Sequence, residues 1–239
     1  MSELNKDLVK HVEETVLPLY NKHDKGHDIN HAREVIDSSI LISGYLDKET
    51  NKNMVFTIAA YHDIGLGYLD DREESRERHH ELSGQIVRED NKLKEFFSDE
   101  QIEIIAEACE QHRASFEGTP NTIYGKVVAD ADRMSSIDIT SMIKRSYNYN
   151  IDRHPGDTPQ ERYQNVYEHL VDKYGPDGYG WESLYLDKTK EVFYHDIKES
   201  KSVLDNEERF LEIYQELFNE NVELISEVLR QTLLIDLNN

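Results

Sequence analysis

The feature that most constrains the fold is an apolar helical stripe that ends in two ligand-type side chains. In residues 55–65, VFTIAAYHDIG, Val55, Ile58, Ala59 and His62 fall at i, i+3, i+4 and i+7, which is one face of a helix. His62 therefore continues the stripe that faces the core, and Asp63 lies one turn beyond Ala59. An ionised carboxylate near a core is costly unless something compensates it, and a metal ion is one such partner. In isolation the pair reads as a core histidine beside an exposed aspartate. Four other stretches of the chain bear on that reading.

Nearly every periodic segment is helical. Residues 3–20 carry apolar positions at helical spacing, with Pro18 near the end. A polar loop, NKHDKGHDIN, follows, and its Asn30 is placed to cap a helix running from His31 to about Tyr45, with His31, Val35, Ser38 and Ile42 on one face. Beyond the His62-Asp63 helix, residues 76–90 form another. Ser98 and Gln101 make a capping-box pattern, and Ile102, Ile105, Cys109 and His112 then repeat at 3-4-3 spacing, so His112 also ends an apolar stripe. Residues 122–134 and 137–148 read as helices. Thr158-Pro159-Gln160-Glu161 opens a further one, which ends at Tyr174-Gly175. The aromatic, turn-rich GPDGYGWESLY (175–185) is the clearest organisational break and reads as a packed connector or a lid. From about Asp205 to Leu237 the expectation is one long amphipathic helix or a broken pair. The expected class is all-α.

His31, His62 and His112 thus stand at the mouths of three helices, alongside Asp63 and the ADAD run at 129–132. Mixed imidazole and carboxylate donors suit Mn, Fe, Co, Ni or Zn better than Mg or Ca. A structural tetrahedral zinc site draws more on cysteine, and Cys109 is the one cysteine in the 239 residues.

The ordered set in GHDINHARE, AAYHDIG and VADADR, His31 … His62-Asp63 … Asp132, resembles the HD superfamily of metal-dependent phosphohydrolases over roughly residues 20–150. The resemblance implies an HD-domain helical bundle (1–150) with a C-terminal helical extension (151–239). It also implies a centre of one or two divalent transition-metal ions. Two-metal branches of the family place a histidine four residues before a glycine, which His80 and Gly84 match. His112 resembles the other added ligand. The implied ligands are therefore His31, His62, Asp63, His80, His112 and Asp132. His79 is left as a supporting group or a substrate contact, since helical periodicity does not separate two neighbours pointing about 100° apart. Asp130 competes with Asp132, and the family's Ala-Asp-basic pattern favours Asp132. Leu66 stands where branches acting on cyclic dinucleotides often carry lysine, which argues against that substrate.

In hydrolase members, two ions about 3.5–4 Å apart share a hydroxide that attacks phosphorus. Asp63 is the natural bridge, because a carboxylate binds two metals and one imidazole nitrogen cannot. The phosphate needs cations, for which Arg113 and Arg145 are the first candidates and Lys126 and Arg33 the weaker ones.

With 27 Lys+Arg against 49 Asp+Glu, the net charge is −22. That argues against a nucleic-acid duplex as partner but allows one local basic pocket for a small phosphorylated substrate. No apolar run approaches the roughly 18 residues of a membrane span. The polar N-terminus is unlike a signal peptide, and the lone cysteine fits a reducing, cytoplasmic compartment. The C-terminal third could cover the pocket or form a homodimer face. The expected activity is hydrolysis of a phosphate ester or anhydride of nucleotide type. A di-iron oxygenase of the same superfamily and a non-catalytic metal-stabilised binding module are the alternatives.

Overall fold

The computed structural model describes residues 3–24, 26–46, 50–113, 115–135 and 137–226. It is helical, with no strand among the described residues, and the chain divides into two compact units. The first comprises Met1–Ser135 and Ser183–Phe193, the second Ser136–Glu182 and Tyr194–Asn239.

In the first unit, α1 (Lys6–His11) is capped by Asn5, whose side chain accepts from the N–H of Asp7 and Leu8. The single helix expected over 3–20 changes pitch instead, becoming a π turn at Val12–Val16 and a 3-10 segment at Leu17–Lys22. Pro18 has no N–H to continue an α ladder, which accounts for the break. Next comes α2 (Ile29–Gly44). Its cap is Asp28, not Asn30: the Asp28 carboxylate accepts from the N–H of Asn30 and of His31, and this places His31 in the first turn. Asn51 caps α3 (Lys52–Tyr61), and a 3-10 turn, Ile64–Gly67, leads to α4 (Arg72–Glu89). The Ser98–Gln101 capping box forms as expected at the start of α5 (Asp99–Glu110), and α6 (Ile123–Met134) follows. Helix α3 packs against α2, α5 and α6, while α4 packs along α5. Val55, Ile58, Ala59, Ile105 and Val128 are fully buried in this core. Complete burial of side chains such as Val and Ile stabilises by about 1.5–3 kcal/mol each.

In the second unit, α7 (Ile139–Arg153) and α8 (Pro159–Tyr174) pack together. Met142 and Ile143 of α7 are buried, and the second unit begins at Ser136. The short α9 (Tyr179–Glu182) belongs here too. Trp181 is 4 % exposed and donates its indole N–H to the Tyr174 carbonyl, so residues 175–182 are a packed connector. The chain then crosses to the first unit for α10 (Asp187–Val192) and back for α11 (Tyr194–Leu204) and α12 (Glu207–Phe218). The expected tail helix stops at Asn219, which adopts the left-handed conformation with φ 51°. Glu220 then accepts from Tyr147, Tyr214 and Arg162. Positions 227–237 of that expectation lie outside the described residues. No described helix is long and apolar enough to cross a membrane.

Candidate metal centre

The centre is built where α3 ends. Its last turn leaves the Ala60 carbonyl without an intrahelical donor. The buried Tyr20 hydroxyl donates to that carbonyl at 3.0 Å and accepts from the Asp63 N–H at 3.3 Å. One phenol thus closes the helix and fixes the backbone of the His-Asp step. Asp63 sits at φ −109°, ψ 6°, in the sparsely populated bridge region, and its carboxylate turns into the core at 3 % exposure.

Four imidazoles converge on that carboxylate. Oδ2 lies 3.2 Å from His62 Nε2 and 3.7 Å from His31 Nε2, while Oδ1 lies 3.3 Å from His79 Nε2 and 3.2 Å from His112 Nε2. The donor atoms of His31, His62 and Asp63 all fall within 4.8 Å of one another, and so do those of Asp63, His79 and His112. Asp132 joins through His31, 3.2 Å from its Nε2, with 24 % of its side chain exposed.

The other ring nitrogens are held from behind. Nδ1 of His62, His79 and His112 each lies 2.7 Å from the carbonyl three residues earlier, those of Ala59, Arg76 and Cys109. His31 Nδ1 lies 3.2 Å from Ser135 Oγ. A carbonyl can only accept, so Nδ1 of those three rings carries the proton and Nε2 presents a lone pair inward. His62 Nε2 is buried with no hydrogen-bond partner among the described residues. A buried basic nitrogen left unpaired among nitrogen and oxygen donors is what a divalent ion would satisfy, so the residues fit such a group.

Electrostatics agree. Burial alone raises the pKa of a carboxyl, but the surrounding imidazoles outweigh it and hold Asp63 well below the usual range. For His62, burial works toward the neutral form and the Asp63 and Asp132 carboxylates overcome it, lifting its pKa to about 9. Burial brings His79 down to about 4, with His112 and Arg113 acting in the same direction. It is neutral at physiological pH.

His79, not the expected His80, reaches Asp63. The reason lies in the α4 register. Gly65 packs against the backbone of α4 so closely that a Cβ there would sit 2.2 Å from the His79 carbonyl oxygen and 2.9 Å from the Ser83 nitrogen. Gly65 N–H donates to Ser83 Oγ at 3.0 Å, and Ser75 Oγ donates to the Gly65 carbonyl at 2.9 Å. These contacts fix the rotation of α4 and turn His79 inward. His80 instead lies 3.4 Å from Arg113.

The remaining expected residues are dispersed. Arg113 donates to the Glu77 carbonyl at 2.8 Å. Lys126 is on α6, six positions before Asp132, and no described polar contact of its ammonium reaches the centre. Arg145 lies on α7, in the second unit. Arg33 pairs with Glu13. Asp130 is neither ligand nor surface residue. Its buried carboxylate accepts from the N–H of Tyr185 at 2.8 Å, the N–H of Leu186 at 3.0 Å and the Thr189 hydroxyl at 2.8 Å, anchoring the 183–193 segment. Tyr20, Ser75, Ser83 and Ser135 carried no signal in the sequence, since each acts through a contact distant along the chain.

The family model described as the HD domain matches residues 8–137. No curated protein matches the chain. Among solved structures, a structural genomics crystal structure of a Lactobacillus plantarum protein is similar, with a TM-score of 0.58 and 16 % identity. The match covers 88 % of this chain and 99 % of that one, and it supports the fold alone.

Proposed function

The chain belongs to the HD-domain family, and from that premise we propose that it is a metal-dependent phosphohydrolase acting on a small, nucleotide-type phosphate ester or anhydride. The observation that carries this reading is the two-sided carboxylate of Asp63, with His31 and His62 on one oxygen and His79 and His112 on the other. The proposed ligands are His31, His62, Asp63 and Asp132 on one side and Asp63, His79 and His112 on the other. Divalent ions held there supply Lewis-acid polarisation of phosphate and a lowered pKa for water.

The chain's own groups do the positioning. The backbone carbonyls behind His62, His79 and His112 keep those rings in the tautomer that presents Nε2 inward. The surrounding imidazoles hold the Asp63 and Asp132 carboxyls well below the usual range, so both would offer charged oxygens to bound cations. Arg113, one residue beyond His112, provides a guanidinium for phosphate oxygens.

The test is phosphate release from a nucleotide panel by the Mn²⁺-loaded protein, alongside Asp63→Asn. The variant should keep its helical circular dichroism and lose activity by ~100-fold or more, beyond the range for residues that merely support a ligand. Iron-dependent O₂ consumption without phosphate release would assign the oxygenase instead. Metal binding with no turnover of any kind would assign a non-catalytic module.

A further inference from the structure

Arg113 stands apart from the arginines that are neutralised by carboxylates. Arg33 pairs with Glu13, Arg76 with Asp24, Arg78 with Glu74 and Glu81, Arg88 with Glu103 and Glu110, and Arg162 with Glu220. Arg113 forms no ion pair among the described residues. Its Nη1 is oriented by the Glu77 carbonyl at 2.8 Å and lies 3.4 Å from His80 Nδ1. In a chain of net charge −22, a half-buried cation held by uncharged acceptors keeps its charge available to an anion that is not part of the protein.

That cation lines a cavity of about 280 Å³ together with His80, Ser115, Phe116 and Glu117. The cavity adjoins the metal centre without being part of it. His79 and His80 leave α4 about 100° apart, one onto Asp63 and the other into the cavity, with ring centroids 5.7 Å from each other. Arg113 likewise follows His112, which faces Asp63. Two residues that line the cavity, His80 and Arg113, are thus the chain neighbours of two imidazoles that face Asp63. Glu117 is exposed at the rim, where its charge is solvated and screened.

We propose that this cavity receives a second phosphate of the substrate, so that the compound cleaved is a phosphoanhydride and not a lone monoester. The proposal rests on the phosphohydrolase reading and narrows it. In the reaction, the oxygen of water bonds to the phosphorus at the centre. The bond from that phosphorus to the bridging oxygen breaks, its electron pair goes to the leaving phosphate, and the water's proton passes to solvent. Arg113 stabilises the charge that collects on the leaving phosphate.

Calorimetric titration of the Mn²⁺-loaded protein with imidodiphosphate and with inorganic phosphate tests this without turnover. The wild-type protein should prefer imidodiphosphate by about tenfold or more, the scale of a charge-assisted hydrogen bond. Arg113→Gln and Arg113→Ala should lose most of that preference. Arg78→Ala, an exposed arginine on α4, should keep it. Equal affinities in the wild-type protein, or a preference that survives in both Arg113 variants, would overturn the proposal. A preference that depends on Arg113 in a protein without any phosphohydrolase turnover would sink the activity reading and leave the anion subsite standing. Turnover of monoesters with no preference would do the reverse.

Discussion

Gly65 lies directly against the backbone of His79: a Cβ on Gly65 would stand 2.2 Å from the His79 carbonyl oxygen. The glycine that follows His62-Asp63-Ile64 is thus the point at which α4 is pressed onto the turn carrying Asp63. This contact fixes both the height and the rotation of the helix that delivers a fourth imidazole.

Gly65→Ala should therefore damage the centre as well as the fold. The clash is with backbone, which cannot rotate aside, so the expected loss is about 1–3 kcal/mol, the usual range for overpacking. Urea unfolding with tryptophan-independent detection by circular dichroism would measure it. Metal bound per chain should fall in the same variant, and an unchanged metal content would show that the α4 position tolerates the shift.

His79→Ala and His80→Ala separate two neighbours. Elemental analysis after metal loading should show a lower metal content for His79→Ala, because His79 Nε2 faces Asp63 Oδ1. His80→Ala should retain the wild-type content. The opposite pattern would restore His80 as the ligand.

Asp130→Ala removes an acceptor for two backbone N–H groups and one hydroxyl. With about 1–3 kcal/mol at stake for a buried donor left unpaired, the buried Thr189 hydroxyl alone sets an expected loss of about that size. Limited proteolysis should then cut within residues 183–193 faster than in the wild-type protein. Equal cleavage rates would mean that other contacts hold this segment.

Asp90 predicts an acid dependence. Burial by itself would raise its pKa, but the Tyr61 hydroxyl at 2.6 Å and His11 Nε2 at 2.9 Å hold it below the ordinary 3.8. A carboxylate with a depressed folded-state pKa contributes stability that is present above the unfolded value and is lost as pH falls through the folded one. Asp90→Asn should therefore cost about 1.5–3 kcal/mol at pH 7, the scale for hydrogen bonds to a charged group. Below pH 3.8 its stability should fall less steeply than that of the wild-type protein. Parallel acid-unfolding curves would reject the assignment.

Several features are legible in the sequence. The 3-4-3 spacing of Ile102, Ile105, Cys109 and His112 pointed to an inward His112, and His112 is 2 % exposed beside Asp63. The Ser98 and Thr158 capping boxes both form. Such signals survive because they are local: helical spacing and a cap three residues away need nothing from the rest of the chain. The aromatic run at 175–185 was less readable. Trp181 packs on Tyr174 with ring centroids 5.1 Å apart, while Tyr185 lies with its ring 5.0 Å from the Arg133 guanidinium, in the other unit.

By itself, the order of residues determined that this protein is helical, where α5 and α8 begin, and that His31, His62, Asp63 and His112 end or open apolar stripes. Only the tertiary structure showed that His79 faces Asp63 while His80 lies beside Arg113, and gave Asp130 its anchoring role. The physical reason is that a helix can turn about its own axis without changing its local pattern. Which side chain meets Asp63 was settled by the backbone of α4 resting on Gly65, a contact between positions 14 residues apart along the chain.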